Sequence, residues 1–174
     1  MTTPATSTGT QVYSVYIRAT PERVWDAITQ PAWTERYGYF VRSEFDLRPG
    51  GAFRGLANDG MRAMGAPEVA VDGEVLEADP PRRLVQTWRM LMDPGVAAEG
   101  FTRLTYEIDD KGDGVTKLTV THELGDARTL SMMVSGAFED QAPGGGGWNW
   151  VLSGIKTLLE TGEVLPIPGL PSQA

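Results

Sequence analysis

The chain has no cysteine and a single histidine, His122. Without cysteine there are no disulfides, thiol nucleophiles or cysteine-ligated zinc sites. One histidine rules out a histidine-rich metal centre, or a mechanism that needs two imidazoles, within one chain. No metal and no cofactor is expected. Basic residues are also scarce: 15 Lys and Arg stand against 23 Asp and Glu, a net charge of −8. A surface that acidic disfavours a nucleic-acid backbone or an anionic membrane as the main partner. Long apolar runs are missing too, since nothing approaches the roughly 20 apolar residues of a membrane span. Residues 1–10 lack both the basic region and the apolar core of a signal peptide. The expectation is a cytoplasmic protein, which the lack of cysteine permits.

What is present suits one soluble globular domain. The 174 residues are 41% hydrophobic and 22% charged, enough to bury a core without staples. Residues 11–163 carry the periodic patterns. Residues 1–10 read as a disordered Thr/Ser-rich lead-in and 164–174 as a Pro-rich tail.

Period-2 alternation marks a first strand over Gln11–Ala19, with Tyr13, Val15 and Ile17 on one face. Thr20-Pro21-Glu22 then supplies a helix cap, a first-turn proline and an acidic residue at the positive helix end. That helix carries Val24, Trp25 and Ile28 until Pro31 breaks it. A second short helix is expected over about 32–37, presenting Trp33 and Tyr37. Arg42–Leu47 and Gly51–Leu56 flank a turn and read as a hairpin. A loop over 58–67 follows. Strands then recur over Val69–Ala78, Arg83–Met90, Thr102–Ile108 and Val115–Leu124, with a loop over 93–100 and a tight polar turn over 109–114. Helical spacing returns over Ala127–Phe138. After a Pro-Gly breaker it returns again over Trp148–Thr161, where Trp148, Val151, Leu152, Ile155, Leu158 and Leu159 make one stripe and Gly162 a stop. This order is α+β: a bent antiparallel sheet with two short helices after its first strand, able to wrap the long C-terminal helix. The gap between a curved sheet and a helix on its concave face is a natural cavity.

Three segments resemble a known family. Ile17-Arg18-Ala19-Thr20-Pro21-Glu22-Arg23-Val24-Trp25-Asp26-Ala27-Ile28 is similar to the opening of the SRPBCC (START-like) superfamily. Gly73 through Trp88, with Asp79-Pro80-Pro81-Arg82-Arg83-Leu84 at its centre, resembles the strand-turn-strand of the AHSA-type branch, named for activators of the heat-shock-protein-90 ATPase. Val151 through Gly162 resembles the last helix of bacterial single-domain members. The resemblance runs over about 11–163 and implies a helix-grip fold with an internal ligand cavity. Ala137–Gly145 looks like an insertion relative to those relatives. Fold alone does not assign an activity.

Counting along the strands places His122 inward with Leu118, Val120 and Leu124. Three roles stay open for it: proton transfer, contact with a ligand, or a hydrogen-bonded core histidine. Gln86, Trp88, Met90, Thr102 and Tyr106 also fall on inward faces. Polar tips among aromatic surfaces suit a ligand cavity, although Gln86 and Thr102 at strand ends could reach water and Trp88 could be plain core. Trp33 and Tyr37 sit near the expected cavity mouth. Met133 and Phe138, on a helix within 127–147, belong to a lid or a fixed cover; Trp148 and Leu152 are candidate ligand contacts on the C-terminal helix. The glycines of 144–147 lack the lysine and the βαβ setting of a phosphate loop, and read instead as a hinge. Asp109, Asp110 and Asp113 read as a solvated turn and not as a calcium loop.

Three functions follow. The first is binding of a small hydrophobic or aromatic molecule in the cavity, by a monomer or homodimer. The second is a cyclase- or hydrolase-like enzyme with His122 as acid or base. The third, from the family name, is an interaction module that activates a chaperone ATPase.

Overall fold

In the computed structural model, residues 9–141 and 145–168 are described. The chain runs β1 (Gly9–Arg18), α1 (Pro21–Thr29), α2 (Pro31–Thr34), β2 (Arg42–Phe45), β3 (Ala52–Leu56), α3 (Asp59–Ala63), β4 (Val69–Asp79), β5 (Arg83–Met90), α4 (Pro94–Ala98), β6 (Thr102–Gly112), β7 (Val115–Gly125), α5 (Arg128–Val134) and α6 (Gly147–Thr161). The seven strands form one antiparallel sheet in the order β1-β7-β6-β5-β4-β3-β2. The first strand thus pairs with the last, and the two helices after it cross to the far edge.

Local chemistry explains most element ends. The Thr20 hydroxyl accepts from the Arg23 N–H and Pro21 opens α1. Gly162, at φ 76°, ends α6 with its N–H on the Leu158 carbonyl. On β7, buried and less buried residues alternate with period 2, and Leu118, Val120, His122 and Leu124 are all buried. The core joins Leu118, Val120 and Leu124, with Leu84, Leu104 and Ile108, to Val24 and Ile28 of α1 and to Trp148, Leu152, Ile155 and Leu159 of α6. A smaller cluster of Phe53, Ala57, Ala70 and Val71 lies toward the β2 side. The architecture is a helix-grip fold: a curved antiparallel sheet closed around its C-terminal helix.

Several expectations need correction. The first strand begins at Gly9, so Gly9 and Thr10 are not lead-in; the remainder of that expectation, residues 1–8, lies outside the described residues, as do residues 169–174 of the tail. The helix α2 is one turn, and Tyr37 falls beyond it. Both expected loops contain short capped helices. The Asn58 side chain accepts from Met61 N–H to start α3, and the Asp93 side chain accepts from Gly95 and Val96 to start α4. The strand β6 continues to Gly112, which leaves a turn of two residues. The α5 helix stops at Val134, so Phe138 is not on it.

Where it is described, the glycine segment packs closely against its neighbours. Gly147 has φ 60°, and a Cβ there would lie 2.2 Å from the Val134 carbonyl oxygen. Only glycine lets the chain turn into α6 that close to the end of α5. The Gly147 N–H donates to the Tyr39 hydroxyl at 3.0 Å.

Candidate functional site

The sheet register brings most of the expected residues to one place. Gln86 on β5 stands opposite Leu104 on β6, which stands opposite His122 on β7. Trp88 stands opposite Thr102, and Tyr106 lies between Leu84 and Val120. Directly opposed residues share a face, so these side chains form one patch on the concave side. Trp148 of α6 closes over it, edge-on to Tyr106 at 6.2 Å and to His122 at 6.0 Å between ring centroids. Trp88 meets His122 edge-on at 5.4 Å.

His122 is the hub of a hydrogen-bond chain. The Trp148 indole N–H donates to His122 Nδ1 at 3.2 Å. An indole nitrogen can only donate, so Nδ1 must be the unprotonated nitrogen and Nε2 carries the proton. Nε2 lies 2.8 Å from the Thr102 hydroxyl, which in turn donates to the Trp88 carbonyl at 2.9 Å. Every donor in this chain has one acceptor, and the imidazole is neutral. Burial pushes its pKa down to about 4. With 0% of its surface exposed and both nitrogens engaged by the protein, this imidazole has no lone pair or proton to offer a substrate. Glu123, its neighbour in sequence, points to the opposite face and pairs with Arg103 at 3.3 Å.

Gln86 differs. It is 1% exposed, and its Oε1 is the one buried side-chain nitrogen or oxygen among the described residues with no hydrogen-bond partner. An unmet buried amide costs about 1–3 kcal/mol. Gln86 and Thr102 are both buried, not at open strand ends. The other buried polar side chains are five threonines besides Gln86 and His122, so no buried side chain among the described residues carries a charge.

Several large side chains packed on the core are not sealed. Trp88, Met90, Tyr106, Tyr37 and Trp33 pack against the core yet stay only partly buried, whereas Leu84 and Leu104 on the same strands are 0% exposed. Trp88 also touches the smaller cluster, so it sits at the seam between the two. The Tyr37 hydroxyl donates to the Ala27 carbonyl at 2.8 Å. Burial raises the pKa of both Tyr37 and Tyr106, and for Tyr37 the nearby Tyr106 adds to the effect. Trp33 has the Arg36 guanidinium 5.5 Å above its ring.

The α5 cover is tied down. Both Glu99 carboxylate oxygens accept from its first turn, from Thr129 N–H at 2.9 Å and Leu130 N–H at 3.0 Å. Burial acts to raise the Glu99 pKa, but these bonds outweigh it and the net shift is downward. Gln11 Nε2 donates to the Ser131 carbonyl and hydroxyl, and Gln11 Oε1 accepts from the Tyr13 hydroxyl. Leu130 and Val134 are buried, and Met133 packs against the core partly buried. Phe138 takes no place in either cluster. Its carbonyl instead accepts from Gln141 N–H. Gln11 was legible as an inward residue two before Tyr13. Glu99 and Tyr39 had no sequence signal, because each acts on a segment distant in the chain.

Among the described residues no helix is long and apolar enough to cross a membrane, and no cluster of three or more His, Asp or Glu could hold a metal ion.

The fold is similar to solved structures from several organisms. Protein MLL2253 from Mesorhizobium loti is 25% identical, with a TM-score of 0.62 over 86% of this chain and 96% of that one. CalU16 from Micromonospora echinospora is 24% identical, with a TM-score of 0.54 over 75% of this chain and 69% of that one. PFC0360w, an HSP90 activator from Plasmodium falciparum, is 19% identical, with a TM-score of 0.59 over 87% and 96%. No curated protein matches the chain. The family model for "Activator of Hsp90 ATPase homolog 1-like protein" matches residues 18–160. That span runs from the end of β1 to the last turn of α6 and contains the whole aromatic patch around Gln86 and His122: the chain belongs to the Activator of Hsp90 ATPase homolog 1-like family, within the SRPBCC superfamily.

Proposed function

We propose that this protein binds a small apolar or aromatic molecule between the concave face of the sheet and α6. The observation that carries this reading is the set of inward aromatic side chains left partly open beside fully sealed aliphatic ones. A core that only had to close would bury its largest apolar surfaces first, since each buried Å² is worth about 25 cal/mol. Trp88, Tyr106, Tyr37 and Trp33 keep that surface available, and the first two flank an unmet amide oxygen on the sheet. Mostly apolar walls with a few placed polar groups are what a small-molecule site requires. In this reading Trp88, Tyr106 and Trp148 hold the ring system, Met90, Met133 and Leu152 complete the apolar wall, and Trp33 and Tyr37 stand at the mouth. His122 positions Trp148 and Thr102 and does not move a proton.

The test is a fluorescence titration with the uncharged probe N-phenyl-1-naphthylamine, alongside native mass spectrometry of the freshly purified protein. Saturable one-to-one binding, weakened about tenfold or more in a folded Trp88→Ala variant, is the expected result. No saturable binding and a mass equal to that of the bare chain would overturn it. If the same preparation then stimulated an Hsp90 ATPase, the protein-interaction role suggested by the family and by the Plasmodium relative would take its place.

A further inference from the structure

The position of Gln86 says what kind of polar group the ligand brings. Its cross-strand neighbours are Val75 on β4 and Leu104 on β6, both 0% exposed. Neither side chain has a donor. The next residue inward on β5 is Trp88, whose carbonyl is already taken by Thr102. The fold therefore holds, among the described residues, one buried amide oxygen with no partner, beside a His122–Trp148–Thr102 group whose hydrogen bonds are made. Tyr106 lies diagonally across from it on β6, two residues beyond Leu104. Diagonal neighbours on one sheet face are about 7–8 Å apart, the width of a small fused ring.

Resting on the binding reading above, we propose that the ligand is an uncharged aromatic molecule bearing a hydroxyl or N–H donor, and that Gln86 Oε1 is the acceptor that selects it. Elimination by chemistry leads to this class. A carboxylate or phosphate would find no buried Lys or Arg among the described residues and would meet an acceptor oxygen. A cation would find no buried carboxylate among the described residues. An ether or ketone would leave Oε1 unmet. A neutral donor satisfies it and leaves no new charge in the interior. A planar ring is favoured because the walls are the ring surfaces of Trp88, Trp148 and Tyr106.

The experiment compares 2-naphthol, 2-methoxynaphthalene and 2-naphthoate at neutral pH by calorimetric titration. It uses the wild-type protein and Gln86→Leu, with Gln86→Met as the second variant should the first fail to fold. The wild type should bind 2-naphthol about 3- to 10-fold more tightly than 2-methoxynaphthalene, the worth of one neutral hydrogen bond, and 2-naphthoate most weakly. The Gln86 variants should keep the methoxy compound and lose the preference. Equal wild-type affinities, as a trapped water on Oε1 would give, would overturn the inference and leave the binding reading standing. So would a preference that survives in the variants. Failure of all three compounds to bind the wild type would bring down both.

Discussion

Because His122 is the sole histidine, its titration can be read in isolation, and the structure assigns it a large effect. The folded imidazole has its pKa pushed down from 6.5 to about 4 by burial. Below about pH 6.5 the unfolded chain takes up a proton on this ring that the folded chain refuses. The unfolded state then binds more protons, so stability falls as the pH falls. The contribution is fully present above pH 6.5, declines through the window from 6.5 to about 4, and amounts to about 3 kcal/mol in all. The cause is geometric as well as dielectric. A proton on Nδ1 would face the Trp148 indole N–H across 3.2 Å, donor against donor. Urea unfolding followed between pH 5.5 and 8 stays above the main carboxylate range. It should show stability flat near pH 8, with a slope growing toward about 1.4 kcal/mol per pH unit at the acid end. A His122→Gln variant should lack that slope. Should this variant not fold, the ring protons of His122 in the wild type give the same answer by NMR. A ring that titrates at or above pH 6.5 in the folded protein would refute the argument, and with it the neutral, fully engaged imidazole.

Two further outcomes test the frame around the site. Gly147→Ala places a Cβ at φ 60° only 2.2 Å from the Val134 carbonyl oxygen, while Gly162→Ala, at φ 76°, meets nothing within 4 Å. Chemical denaturation should show Gly147→Ala losing more than the roughly 1–2 kcal/mol expected of left-handed strain alone, and Gly162→Ala losing about that much. Glu99→Gln weakens the cap on α5 and should cost about 1 kcal/mol, with faster amide exchange at Thr129 and Leu130 than elsewhere in the core. Because the folded Glu99 pKa is lowered, its stabilisation is present at neutral pH and lost as the pH falls through that lowered value.

The sequence by itself determined the element types and the inward faces. Period-2 alternation over 115–124 and the 3–4 spacing over 148–159 are properties of consecutive residues. They survive folding because one face of each element must be buried. Hence His122, Gln86, Thr102 and Tyr106 were legible as inward residues, and the Pro21 and Gly162 helix ends as boundaries. Short capped helices at 59–63 and 94–98 escaped notice because a single turn has too few residues to show a period. The length of α5 and the close approach at Gly147 left no signal for a different reason. Close approach between two backbones distant in sequence leaves no periodic trace. Tertiary structure alone decided what each inward polar group does. Pairing of β5 with β6 and of β6 with β7, and the passage of α6 over them, placed the Trp148 indole and the Thr102 hydroxyl on the two nitrogens of His122 and made that ring a closed structural hub. Pairing of β5 with β4 on one side and β6 on the other set Gln86 between Val75 and Leu104 and left its oxygen unmet. Periodicity can say that a polar side chain points inward; only the neighbours contributed by other strands say whether its hydrogen bonds are already made.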